Sequence, residues 1–323
     1  MKLTFRNLAL GACAATVIAL PGAAAEAQSY PNQRITFVVG FPAGGFADGV
    51  ARLVAEHVGK TLGQQVIVEN RGGAASNIAA QAVAGAKPDG YTVLASTTAL
   101  AINASAYKKL NYALSDLTPV AIPVAAPETL DVHPSKPKTL KAFLAGAKEK
   151  EVTFGSAGVG SGSHLSMYYF LKDIAKVKAA HVPFSGGAPA TQAVIGNQID
   201  ALAATLSGSV AAQVKEGKMA CLAVASAQRF PTLPDCPTFA ESGFAGFEAA
   251  SWVGFFVPAK TDRAVVDKLN AAINSAIDDA ATRAKLANNG TLTKRSTADT
   301  AAFLKGQVET WRKMVTAAAF KVE

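Results

Sequence analysis

Ser161, Ser163 and His164 lie within one short stretch, and hydroxyls beside an imidazole are the raw material of nucleophilic catalysis. Their spacing does not deliver it. The elbow pattern G-x-S-x-G sets its serine midway between two glycines, whereas in Gly158-Val159-Gly160-Ser161-Gly162 the serine comes one place late. His164, adjacent to Ser163 on a helix, would point elsewhere, so a base must come from His57, His133 or His181, and none of these has an acidic partner motif. The same glycines approximate the dinucleotide fingerprint G-x-G-x-x-G with Ser163 in the last place, but Ala180 to Phe184 offer no acidic residue for a ribose. The sequence has no phosphate-loop lysine, no cysteine or histidine cluster at metal spacing and no paired loop carboxylates. An enzyme is therefore not expected, nor a cofactor or metal. What remains for these residues is non-covalent capture.

Two strand–loop–helix junctions would position them. Ile35 to Val39 reads as a strand covered on both faces, followed by the Gly/Pro-rich loop Gly40 to Gly45. Beyond Asp48, apolar residues at Val50, Leu53, Val54, Val58 and Leu62 form a helical stripe that stops at Gly63. Val152 to Phe154, the loop through Gly162 and a helix from Ser163 repeat the design. Such a junction aims backbone N–H groups and the positive end of a helix dipole at one spot, which favours an anion. Both loops lack Lys and Arg, so recognition would rest on backbone N–H groups, hydroxyls and helix ends. Either loop alone is also what a tight helix–strand turn looks like. Together with Ser96-Thr97-Thr98 after the strand Tyr91 to Ala95, and with Phe184-Ser185-Gly186, they suggest facing walls of a cleft. Asp48 reads as a capping residue rather than a general base.

The rest of the chain alternates strand and helix signals, an α/β pattern. Short strands are expected at Val66 to Val68, Ile199 to Ala203 and Cys221 to Ala225, and helices at Asn77 to Ala86, Thr139 to Lys148 and Val210 to Glu216. Leu117 to Ala126 reads as extended but interrupted by Pro119 and Pro123, with a new element from Thr129. Phe247 to Val257 reads as an extended return, followed by a helix capped at Asp262 and another from Thr297. The expected organisation is residues 28–126 in a first domain, 127–247 in a second, and 248–323 back in the first, so that two crossings form a hinge. A chain of 323 residues with 50% hydrophobic and 17% charged residues has the composition of a packed globular protein. Its net charge of +8 is scattered, which argues for a solvated basic surface and against a nucleic-acid partner.

Lys2 and Arg6, the apolar run Leu8 to Leu20 and the small-residue site Ala25-Glu26-Ala27 have the form of an export signal, residues 1–27, cleaved near Ala27 with Ala25 as the alternative. Later stretches fall short of the roughly 18 apolar residues of a membrane span. Cys221 and Cys236 remain after cleavage, and an even pair in an oxidising compartment is open to two readings, a disulfide or two buried thiols.

Read in order, Phe41-Pro42-Ala43-Gly44-Gly45-x-x-Asp48, Val68-Glu69-Asn70-Arg71-Gly72, Lys87-Pro88-Asp89-Gly90-Tyr91, Gly155 to Ser161, His181-Val182-Pro183-Phe184, Pro234-Asp235-x-Pro237-Thr238 and Gly246-Phe247-Glu248 resemble the Bug-type periplasmic solute receptors of tripartite tricarboxylate transporters. The resemblance covers nearly the whole chain after the signal. It implies a two-domain periplasmic-binding-protein type II fold, a Venus flytrap, that hands a small carboxylate to integral membrane transporter subunits without chemistry; a monomer is expected. An exported ligand sensor would use the same closure. By position, the implied contacts are Phe41, Ala43, Gly44, Gly45, Phe46, Ala47 and Asp48 from the first loop, and Ser156, Ala157, Gly158, Gly160, Ser161, Ser163 and His164 from the second. Asn77, Ser96, Thr97, Thr98, Phe184, Ser185, Gly186 and Thr205 would add more. The chain departs from the family at Phe46, where a small or hydroxyl residue is usual, at Phe184-Ser185-Gly186 in place of Tyr-Lys-Gly, and at Ala203-Ala204-Thr205 in place of Phe-Asp-Asn. A pocket that loses polar groups and gains a ring suits a carboxylate with an apolar or aromatic body better than a hydroxylated one such as citrate. Phe46 packed against its own domain is the alternative.

Overall fold

The unbroken apolar run Ile35–Val39 (β1) becomes the centre of a parallel sheet, with Ile35, Phe37 and Val39 fully buried. This computed structural model describes residues 30–322; the expected signal at 1–27 lies outside the described residues. β2 (Val66–Asn70) and β3 (Thr92–Thr97) flank β1 in parallel. α1 (Phe46–Leu62) covers one face through Val50, Val54 and Val58 and ends at Gly63, whose φ of 67° no branched residue would adopt comfortably. Each such buried aliphatic side chain contributes about 1.5–3 kcal/mol. α2 (Asn77–Ala84) and α3 (Ala99–Ala106) cover the other face.

β4 (Leu117–Val132) then runs as one strand of 16 residues. The break expected between Ala126 and Thr129 does not exist. Pro119 and Pro123 donate no hydrogen bond, yet the register with the partner strand slips around them instead of ending. The strand leaves the first sheet beyond Pro127 and enters a second at Glu128.

The second lobe follows: α4 (Leu140–Glu149), capped by the Thr139 hydroxyl; β5 (Val152–Ser156); α5 (Gly162–Tyr169), continued by a π-helical turn at Phe170–Ile174; β6 (Ala179–Pro183); α6 (Gly187–Ile195); β7 (Ala201–Thr205); α7 (Gly208–Lys215); and β8 (Ala220–Val224). β5 pairs with β6 and β7 in parallel, while β4 runs antiparallel to β7 and β8. Cys221 and Cys236 are joined by a disulfide. Closing a loop of that length removes unfolded-state entropy worth about 3 kcal/mol.

β9 (Ala250–Pro258) brings the chain back, inserted antiparallel between β3 and β4. α8 (Arg263–Ser275, capped by Asp262), α9 (Ala280–Ala287), the short β10 (Thr291–Leu292) on β4, and α10 (Thr297–Ala317) complete the first lobe. The crossings at β4 and β9 are stitched by backbone bonds: Glu128 N–H to Ala249 O (2.9 Å), Ala225 N–H to Glu128 O (2.8 Å) and Leu206 N–H to Pro127 O (2.9 Å). Among the described residues no helix is long and apolar enough to cross a membrane.

Candidate functional site

α1 begins at Phe46, ahead of the stripe's first apolar residue, Val50, and no side chain caps it. Asp48, in the first turn, reaches back to accept from the Gly44 N–H (2.9 Å), and it also receives Arg52 Nε (3.0 Å) and Asn70 Nδ2 (2.8 Å). Burial alone would raise this carboxyl; the Arg52, Gly44 and Asn70 hydrogen bonds outweigh it and hold Asp48 below its ordinary range. The side chain is spent on shaping the loop. α6 opposite is also uncapped by any side chain, and Gly44 and Ala188 face each other across the gap between lobes.

Two further helices start at the same place. Ser161 caps α5 by accepting from the His164 N–H (3.2 Å), and Ser207 caps α7 by accepting from the Val210 N–H (3.3 Å). The first turns of α1, α5, α6 and α7 converge on one cavity of about 130 Å³ between the lobes. Phe41, Gly44, Gly45, Phe46, Ala47, Thr97, Ala157, Ser161, Gly162 and Ser163 line it, as do Ala203, Ala204 and Thr205 from β7. Thr191, Gln192, Ser207, Ser209, Val210, Gln213 and Ser251, on α6, around α7 and on β9, do so without having been singled out from sequence. The signal that could have found the α7 group is the third strand–loop–helix junction, Thr205 to Val210, with serines in its loop. Every residue lining the cavity is uncharged. Four helix dipoles therefore supply positive potential without a formal charge.

The other expected contacts stand behind or beside the wall. Asn77 binds Asn103 Nδ2 and Tyr112 Oη, the Ser96 hydroxyl donates to Ser76, and Thr98 accepts from the Trp252 N–H. These bonds turn the buried groups into the lobe, where they hold up the loop floor, although Asn77 Nδ2 itself has no partner among the described residues. Gly158, Phe184 and Ser185 border a second cavity, of about 210 Å³, which shares Phe41 and Ala157 with the first. Gly160 lies against Asn103 and Tyr107, and Gly186 lies against Pro42, so both serve lobe-to-lobe contact. Ala43 is exposed on the loop, outside both cavities. Phe46 does two things at once: it lines the cavity and packs partly against the core of its own lobe.

The serine–histidine geometry answers the catalytic question. Ser161 Oγ donates to Gly158 O (2.8 Å), and His164 Nδ1 accepts from the Gly160 N–H (3.3 Å). The His164 ring stacks on His181 at 3.6 Å, and His181 Nε2 pairs with Ser156 Oγ (2.7 Å). Burial, and for His164 also the nearness of His181, push their pKa values down to about 3 and about 4, so both rings are neutral structural parts.

The model of the TctC family, "Tripartite tricarboxylate transporter family receptor", matches residues 50–320. The chain belongs to this receptor family. It is similar to the solved periplasmic binding protein BugD, at 32% identity and a TM-score of 0.86, over 91% of this chain and 100% of that one. It is similar to Rpa4515 of R. palustris solved with adipate (29% identity, TM-score 0.86, 90% and 99% of the two chains). MatC from Rhodopseudomonas palustris, solved with bound malate, matches at 32% identity and a TM-score of 0.82 over 88% and 100%. This family member is thus a two-lobed solute receptor and not an enzyme, and the interlobe cavity is its candidate site.

Proposed function

We propose that the receptor captures a small carboxylate in the cavity between its lobes, using Gly44 to Ala47, Ser161 to Ser163, Thr97 and Thr205 as its main contacts, and delivers it to membrane transporter subunits. The observation that carries this reading is the meeting of four helix N-termini in a cavity whose lining holds no ionised side chain. A carboxylate fits such a field, and a cation does not. The cavity is well below the roughly 300–1,000 Å³ of sites for drug-sized ligands, which limits the solute to a compact molecule.

The body of the solute meets Phe46, Ala188, Ala203, Ala204 and Val210, an apolar surface. Adipate and malate, bound by the similar proteins, bracket the choice between a methylene chain and a hydroxylated one. The lining favours the chain or an aromatic ring. The protein works as a monomer after export and loss of residues near Ala27, with the remaining domain bounds at 28–126, 127–247 and 248–323. A thermal-shift panel of adipate, benzoate, malate, citrate, a hexose and a diamine, followed by calorimetry, tests this. The largest shifts are expected with adipate or benzoate; shifts confined to citrate and malate would overturn the apolar preference. Shifts confined to the hexose or diamine would overturn carboxylate capture. Deleting the gene is expected to abolish uptake of the winning carboxylate; intact uptake would favour a sensor.

A further inference from the structure

Glu128 stands where β4 passes from one lobe to the other, and it is fully buried. Its Oε1 accepts from Ser251 Oγ at 2.6 Å, and Ser251 belongs to β9, the second crossing strand. Its cross-strand neighbour is Thr205. Ser251 and Thr205 both line the cavity, so Glu128 lies directly behind its floor. Gly162, the first residue of α5, closes the third side: a Cβ there would clash with Ser251 Oγ and lie 3.0 Å from Glu128 Oε1. Glu128 Oε2 has no hydrogen-bond partner among the described residues. A carboxyl buried with one oxygen unpaired is stable only in its neutral form.

We propose that Glu128 couples solute capture to a proton: the lobes close on an anion while Glu128 is the neutral acid, and its ionisation drives the anion out. Gly162 has the cavity on one side and the Glu128 carboxyl on the other. An anion held at the first turn of α5 and an ionised Glu128 would therefore compete for the same helix end with little solvent between them. Both lobes contribute, since the Glu128–Ser251 bond ties the two crossing strands together. Burial sets the Glu128 pKa up at about 8, partly opposed by the Ser251 hydroxyl on Oε1 and by the nearness of the Thr205 hydroxyl, which completes no hydrogen bond to Oε2. The elements packed around it bring no competing charge: β7, β8 and β9 carry no ionisable side chain besides the bonded Cys221. Asp131, also buried, lies on the opposite face of β4 with Thr129. His164 on α5 is turned to His181, and Glu248 before β9 is exposed.

This inference rests on carboxylate capture, and the test separates the two. Calorimetry with adipate between pH 6.5 and 9, where adipate stays ionised, reads the affinity; buffers of different ionisation enthalpy read the proton taken up. Affinity is expected to fall about five- to tenfold by pH 9, with uptake approaching one proton per adipate at the alkaline end. Glu128→Gln, which keeps the neutral shape, is expected to flatten the profile, while Asp131→Asn leaves it in place. A flat wild-type profile, an unchanged profile in Glu128→Gln, or loss of the profile in Asp131→Asn would each overturn the coupling while leaving capture intact. Failure of adipate, benzoate, malate and citrate to bind at any pH would overturn both. Should Glu128→Gln not fold, wild-type proton uptake decides alone.

Discussion

Asp48 illustrates how a residue can matter to a site it does not touch. Its carboxylate organises the Gly44 N–H, Asn70 and Arg52, and the loop so fixed presents Gly44, Gly45 and Phe46 to the cavity. Asp48→Ala leaves the Gly44 N–H without its acceptor and the Asn70 amide with Phe41 O alone, and the expected cost is about 2–3 kcal/mol of stability. Asp48→Asn, which restores an acceptor but not the charge, is expected to lose less; urea denaturation measures both. Equal losses would show that the hydrogen bonds are not what the loop depends on. A structural role for Asp48 was legible, because an acid in a first helical turn has a local reason to be there, but it does not cap α1: it holds the Gly44 loop instead. The sequence could not show that Glu128, flanked by Pro127 and Thr129, would be sealed behind the cavity floor, because that depends on β7, β9 and α5 meeting in space.

Among elements, the junctions with their own punctuation were readable. β1 and α1 announce themselves by an apolar run, a glycine loop and a stripe; Thr139 and Asp262 cap the helices expected of them. α3 was not read, because Ala99–Ala106 is small and mostly apolar, with Asn103 itself buried, so it has no polar face to set a period. β4 was read as two pieces because its prolines weaken local propensity, while pairing on β9 up to Pro127 and on β7 and β8 from Glu128 keeps the strand whole. The start of α6 bears on lobe closure. Gly186 has φ 175°, extended backbone that any residue adopts, but an added Cβ would lie 2.5 Å from Pro42 Cδ in the other lobe. Gly186→Ala should therefore leave each lobe's stability within about 0.5 kcal/mol while weakening solute binding about tenfold or more. Unchanged affinity in calorimetry would mean that the lobes do not need this approach.

Among the described residues, the buried Glu128, Asp131 and His164 and the half-buried His181 carry large shifts that shape the response to pH. Glu128 and Asp131 keep their protons up to about 8 and about 7, against ordinary values of 4.5 and 3.8. Their contribution is complete below those ordinary values and is lost as pH rises through 7 to 8. His164 and His181 stay neutral down to about 3 and about 4, against 6.5, so theirs is complete above 6.5 and is lost as pH falls through 4 to 3. The two sets offset each other between about pH 4.5 and 6.5. The expected urea midpoint has a flat top there and falls on both sides; a midpoint that climbs from pH 6.5 to 8 would contradict the burial of the two acids. The two-lobed plan itself was legible, because alternating strands and helices with a late extended return leave few other topologies. The convergence of α6 and α7 on the cavity was not, since their first turns gain meaning only when the lobes face each other.

That convergence is unevenly shared. α1 belongs to one lobe, whereas α5, α6 and α7 belong to the other. When the lobes part, most of the field that holds an anion stays on one side, so boarding and unloading follow the same order in reverse. On the proposed reading, the solute would settle first on the lobe with three helix ends, and the arrival or withdrawal of a single helix end would decide how long it stays. Residence time would then be a property of the hinge, and a transporter subunit that pried the lobes apart would empty the receptor without touching its cargo.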